Sequence, residues 1–141
     1  MSNITITAST IPRDAYKDNL VITEVTLADT VTKIDRYAFQ GCTNLKRATF
    51  GSGLNLIEAL AFHNCTNLTH VTFGTGVEFI LTSAFKNTSI DGTLDLSSTQ
   101  IEYLGDGAFR DISSITEVIL PSTLKEIDNR AVSYTHLRAH E

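Results

Sequence analysis

Apolar residues recur along this chain at a fixed interval. A small-aromatic pair stands at Ala15-Tyr16, Ala38-Phe39, Ala61-Phe62, Ala84-Phe85 and Ala108-Phe109, with Ala131-Val132 as a sixth variant. Successive pairs are separated by 23, 23, 23, 24 and 23 residues. Four positions ahead of each stands Ile11, Ile34, Ile57, Ile80, Leu104 or Ile127, and three before those Ala8, Val31, Leu54, Val77, Ile101 or Leu124. Downstream runs an L-x-x-V-x-F segment: Ile22-Val25-Leu27, Leu45-Ala48-Phe50, Leu68-Val71-Phe73, Ile115-Val118-Leu120 and, with Asp91 in the first place, Leu94-Leu96. The one extra residue falls in residues 97–100 (Ser-Ser-Thr-Gln), a turn-like stretch able to absorb it.

Each copy is readable as local structure. V-x-F alternates with period 2, so Val71 and Phe73 point inward and Thr72 outward, as in a half-buried strand. Gly51-Ser-Gly53, Gly74-Thr-Gly76 and Pro121-Ser turn the chain after it, and a second extended stretch such as Val77-x-x-Ile80 follows. Asp35, Glu58 or Asp128, replaced by Pro12 in the first copy, suits the start of a short helix carrying the Ala-aromatic pair. One such coil cannot bury its own apolar face. Stacking coils at about 4.8 Å does so, pairs every strand with its neighbours, and yields a rod roughly 25 Å long from five copies. The expected fold is therefore an α/β repeat solenoid. Its right-handed coil would carry a parallel β-sheet on one face and short helical turns on another, with the solenoid over residues 1–131 and a separate tail over 132–141.

Residues 34–50 (IDRYAFQGCTNLKRATF) and 57–73 (IEALAFHNCTNLTHVTF) resemble the I-x-x-x-A-F-x-x-C-x-x-L-x-x-V-x-F repeat of BspA-type leucine-rich-repeat proteins, and the period of 23 lies in the leucine-rich-repeat range. The similarity runs from residue 11 to residue 131. It departs at Thr88 and Ile112, which replace the repeat cysteine, and at Gly92-Thr-Leu-Asp-Leu, which replaces the usual strand. The resemblance implies a bacterial or protozoan protein, on the cell surface or secreted, whose repeats bind proteins of a host matrix or of neighbouring cells. It carries over no catalytic residues. Residues 133–141 resemble a translated sequencing adaptor of the kind that contaminates metagenomic gene predictions, so the tail is expected to be frayed and the H-x-x-x-H pair His136/His140 to be no metal site.

Composition narrows the function classes. Eleven Lys+Arg against 16 Asp+Glu give a formal charge of −5, which disfavours nucleic acid and anionic membranes as partners. No apolar run approaches 18 residues, so no membrane-inserting helix is expected. The first residues lack the basic and long apolar regions of an export signal. Cys42 and Cys65 occupy one slot of adjacent copies, where stacking would bring them within disulfide reach. The slot's other occupants, Asn19, Thr88 and Ile112, suit packing and hydrogen bonding better than redox chemistry. Two thiols also fall short of a zinc site, and no cofactor is expected.

The outward strand positions are the candidate ligand-binding residues. One column reads Glu24, Arg47, His70, Thr93 and Glu117; the next reads Thr26, Thr49, Thr72 and Asp95, continued by Ile119. Thr23, Lys46, Thr69 and Thr116 flank them. Glu24 beside Arg47 predicts a modest cross-strand ion pair. Enzyme chemistry has little footing: His70 is the one candidate base outside the tail and the turn, and no acidic residue of its own copy orients it. The expectation is a non-enzymatic protein-binding module acting through a concave sheet face, with a structural spacer as the alternative. The free strand edge at the end of such an array could also pair end to end with a second copy.

Overall fold

The computed structural model describes residues 2–132 and 138–140. In chain order the strands are β1 (Ser2–Ile6), β2 (Thr10–Ile11), β3 (Ile22–Leu27), β4 (Lys33–Ile34), β5 (Arg47–Thr49), β6 (Leu56–Ile57) and β7 (His70–Thr72). They continue as β8 (Phe79–Ile80), β9 (Gly92–Asp95), β10 (Tyr103–Leu104), β11 (Ile115–Ile119), β12 (Glu126–Ile127) and β13 (Arg138–His140). Odd-numbered strands build one wall and even-numbered strands another. The even wall is a continuous six-stranded parallel sheet, β2-β4-β6-β8-β10-β12. The odd wall is split into β1-β3-β5-β7 and β9-β11-β13.

The interior is made of the columns that the repeat defines. Ile11, Ile34, Ile57, Ile80 and Leu104 are buried in one spine, and Ile127 in the last coil of that spine is 43% exposed. Phe39, Phe62, Phe85 and Phe109 are fully buried and form another. Their rings stack at centroid distances of 5.0, 5.1 and 5.2 Å with planes within 5°. Tyr16 caps this ladder at 5.2 Å from Phe39. The centroid spacing is set by the repeat distance between coils. It exceeds the roughly 3.5–4 Å of face contact, so the rings lie offset, the arrangement their quadrupoles favour.

The short helical turns expected around the Ala-aromatic pairs are not present: the described residues contain no helix. The backbone shows why. The residue before each Ala is left-handed (Asp14, Tyr37, Leu60, Ser83, Gly107 and Arg130), and so is the residue three after it (Asp18, Gly41, Asn64, Asn87 and Asp111). Such residues break an α-helical run. Donors therefore alternate in direction. Ala61 N–H and His63 N–H close tight turns on Glu58 O and Leu60 O, whereas Phe62 N–H and Asn64 N–H reach forward to Ala84 O and Lys86 O of the next coil at 2.7 and 3.1 Å. The acidic residues act locally instead of on a helix dipole: Asp35 Oδ1 accepts the Arg36 N–H at 2.7 Å.

Two further expectations change. In the fourth copy Asp91 is exposed, and its neighbour Ile90 fills the apolar slot. A carboxylate at that inner corner would be desolvated without a partner, so the chain turns Ile90 inward one residue early. In the tail, β13 pairs in parallel with β11, with Glu117 beside Arg138 and Ile119 beside His140. The backbone of 138–140 is thus strand and not frayed. The rest of that expectation, and the His136/His140 pair, lies outside the described residues. Val132, in the aromatic slot, is buried and bridges to Phe109.

Candidate binding face

The odd wall carries the candidate residues outward. Register places Glu24 beside Arg47 and Arg47 beside His70, with Thr26, Thr49 and Thr72 beside one another in the next row. Beyond the split, within the β9–β11 ladder, Thr93 stands beside Glu117 and Asp95 beside Ile119. Arg47, His70, Thr93, Thr26, Thr49, Thr72 and Asp95 are exposed, and Glu24 and Glu117 half-buried. Both columns therefore exist as read, but the structure joins them in two groups rather than one. The expected Glu24–Arg47 ion pair is absent from those formed by the described residues, although the two positions are adjacent. Thr93 Oγ1 instead donates to Glu117 Oε1 at 3.1 Å, and Thr69 Oγ1 lies 2.8 Å from His70 Nδ1.

The split is the feature that sequence reading missed. Coils three and four touch where Asp91 N–H donates to Thr69 O at 3.4 Å and again where Gln100 N–H donates to Val77 O at 3.1 Å. Between these points no Cα of β7 comes within 8 Å of one of β9. Its causes are local. Ile90 is drawn in early, Gly92 follows at φ +72°, and the extra residue near 97–100 lets the chain bow out before it rejoins the stack. Asp95 Oδ1 fixes the far side by accepting from Ser97 N–H at 2.9 Å and Ser97 Oγ at 2.6 Å, bonds that hold its carboxyl below the usual range. The opening is a cleft of about 220 Å³ rimmed by Arg47, His70, Thr72, Asp91, Thr93 and Asp95. Its floor includes Val71 and Phe73, half-buried here, whereas their counterparts Ala48 and Phe50 are 1% and 4% exposed. The Thr88 hydroxyl in coil four is buried with no hydrogen-bond partner among the described residues.

Other titratable groups serve packing. Cys42 and Cys65 are buried free thiols that donate back to Tyr16 O and Phe39 O of the preceding coil at 3.1 and 3.0 Å. Burial pushes the Cys65 thiol up, which makes it a poor nucleophile. His63 Nδ1 lies 2.9 Å from Gln40 Nε2, so it accepts and is neutral; desolvation and the Lys86 ammonium lower its pKa. Among the described residues no three His, Cys, Asp or Glu side chains gather as metal ligands.

Comparison with known proteins bears on the whole array. Residues 9–138 match the BspA type Leucine rich repeat region in six copies. A leucine rich cell surface protein from Faecalibacterium prausnitzii A2-165 superposes with a TM-score of 0.81 at 30% identity, covering 96% of this chain and 39% of that one. The T. pallidum Leucine Rich Repeat protein superposes at 0.69 with 23% identity, covering 97% and 66%. Pneumococcal vaccine antigen PcpA gives 0.50 at 19% identity, covering 86% and 36%. The last two are similar in fold alone, and this chain spans well under half the length of the first and third and about two thirds of the second. No curated protein matches it. Six matched copies spanning the stacked coils make this chain a member of the BspA-type leucine-rich-repeat family.

Proposed function

We propose that this chain is a non-enzymatic protein-binding module of a larger bacterial surface or secreted protein, and that it recognises its partner through the outward face of β3, β5, β7 and β9. The observation that carries the reading is the in-register row Glu24, Arg47 and His70 above the row Thr26, Thr49 and Thr72, which ends at a cleft with apolar floor and charged rim. The β3–β5–β7 ladder fixes the backbone spacing of these side chains, so a partner meets them with that part of the ordering already done. The mixed charge of the row supplies selectivity rather than bulk affinity. Its neighbour in fold, named a leucine rich cell surface protein, supports the location. The test measures binding of the chain to immobilised extracellular-matrix proteins and compares an R47S/H70S double variant. A loss of tenfold or more with unchanged melting is expected. Equal binding by both proteins overturns the assignment to this face, and no binding by either overturns the reading in favour of a spacer.

A further inference from the structure

We infer that the cleft between β7 and β9 is a slot for one extended peptide strand of a protein partner, which would complete the interrupted odd wall. This rests on the reading that the outward face recognises protein, and narrows it to a place and a chemistry. In an intact parallel sheet adjacent strands lie about 4.8 Å apart, and two strands flanking a third lie about 9.6 Å apart. The Cα atoms of β7 and β9 are more than 8 Å apart, too far for a direct ladder.

The facing edges also have unused hydrogen-bonding groups. Phe50 N–H donates across to Thr72 O at 3.0 Å, and Leu96 N–H donates to Ile119 O at 2.8 Å. The equivalent donor of coil three, Phe73 N–H, has no backbone acceptor among the described residues. By the alternation of a parallel ladder, Val71 and Phe73 present their backbone groups from one side, and Thr93 and Asp95 present theirs from the other. Exposed strand edges of this kind capture extended chains through main-chain bonds.

The walls specify the occupant further. Residues of an inserted strand alternate in direction. Those level with Val71 and Leu94, and with Phe73 and Leu96, face the apolar interior. The one between them sits outward, level with Thr72 and Asp95. The exposed Asp95 carboxylate at that level favours a Lys or Arg. The slot thus selects an apolar–basic–apolar triplet held in extended form, with its ends rising to the outer face because the coils close at Thr69–Asp91 and Val77–Gln100.

The test selects a random phage-displayed heptapeptide library on the full 141-residue chain. Enriched peptides are expected to share the triplet and to slow hydrogen exchange at Phe73 N–H. They should lose about tenfold in affinity when a backbone nitrogen facing β7 or β9 is methylated, and bind D95N more weakly. The inference is overturned if no peptide is enriched, if Phe73 exchange does not change on binding, or if methylation at every position is tolerated. A matrix protein bound in an R47S/H70S-sensitive way would, in any of these cases, leave the broader reading standing and remove only the slot.

Discussion

Truncating the central ring of the aromatic ladder, Phe62→Ala, tests the stacking that builds the solenoid. Phe62 is 0% exposed and lies between Phe39 and Phe85 at 5.0 and 5.1 Å, with Phe50 tilted against it at 5.7 Å. Burial of an aromatic side chain accounts for about 4 kcal/mol of transfer and cavity cost when it is removed. Unfolding entropy of roughly 2.1 cal/mol/K per residue over 141 residues gives about 0.3 kcal/mol/K, so the melting temperature should fall by about 13 °C. Phe73→Ala removes a ring that is already half-exposed at the cleft and should cost clearly less. Thermal melts followed by circular dichroism give the ranking. A double-mutant cycle then isolates the ladder itself: Phe39→Leu with Phe62→Leu should show coupling of about 0.5–1.5 kcal/mol, whereas Phe39→Leu with Phe109→Leu, whose rings do not touch, should be additive within about 0.5 kcal/mol. Equal coupling in both cycles, or a larger loss for Phe73→Ala than for Phe62→Ala, would refute the nearest-neighbour account.

Three other outcomes follow from particular contacts. Thr88→Cys restores the thiol slot and replaces a buried hydroxyl that has no partner, so it should raise stability by about 1 kcal/mol in urea titrations; a decrease would show that the hydroxyl is satisfied after all. Oxidation of a T49C/T72C pair should form a disulfide, because these positions are adjacent in the β5–β7 ladder, whereas T72C/D95C should stay reduced across a gap wider than a disulfide spans; cross-linking of the second pair as fast as the first would close the cleft. The Tyr103 hydroxyl donates to Asp128 Oδ2 at 2.5 Å, which pushes its pKa up to about 12. The neutral phenol is the bonded form, so its stabilisation is complete below pH 10 and lost as pH rises through about 12. Phenolate absorbance should show a step near pH 12 that vanishes in Tyr103→Phe, and a step that persists would reassign it.

Much of this architecture is legible in the residues because it depends on identity at equivalent positions. Phe39, Phe62, Phe85 and Phe109 share a slot, and equal spacing alone stacks them. Cys42 and Cys65 were readable as packing groups for the same reason, since Asn, Thr and Ile also stand there. The turns were misread because acidic residues before an Ala-aromatic pair suit a helix start as well as a tight turn. What decides is a left-handed backbone at Tyr37, Leu60 and Ser83, residue types that give little sign of it. Of the binding face, both outward columns could be listed from alternation, but the cleft could not. It arises from Asp91 standing in an apolar slot beside Ile90 and Gly92, a local conflict that sequence shows as a flaw in the repeat and only coordinates show as a separation of strands.

The forward-pointing amides of the turns give the array a direction. Each coil hands its Phe62-type and Asn64-type N–H groups to the coil that follows, while on the even wall Glu58 and Leu81 N–H reach back to Ile34 O and Ile57 O. The two ends of the stack are consequently unlike surfaces, one offering donors where the other offers acceptors. Two copies stacked nose to tail would continue these ladders, donor to acceptor, with every strand still parallel. Such a contact does not close on itself as a twofold dimer does, and it would build an open filament whose pitch is that of the coil.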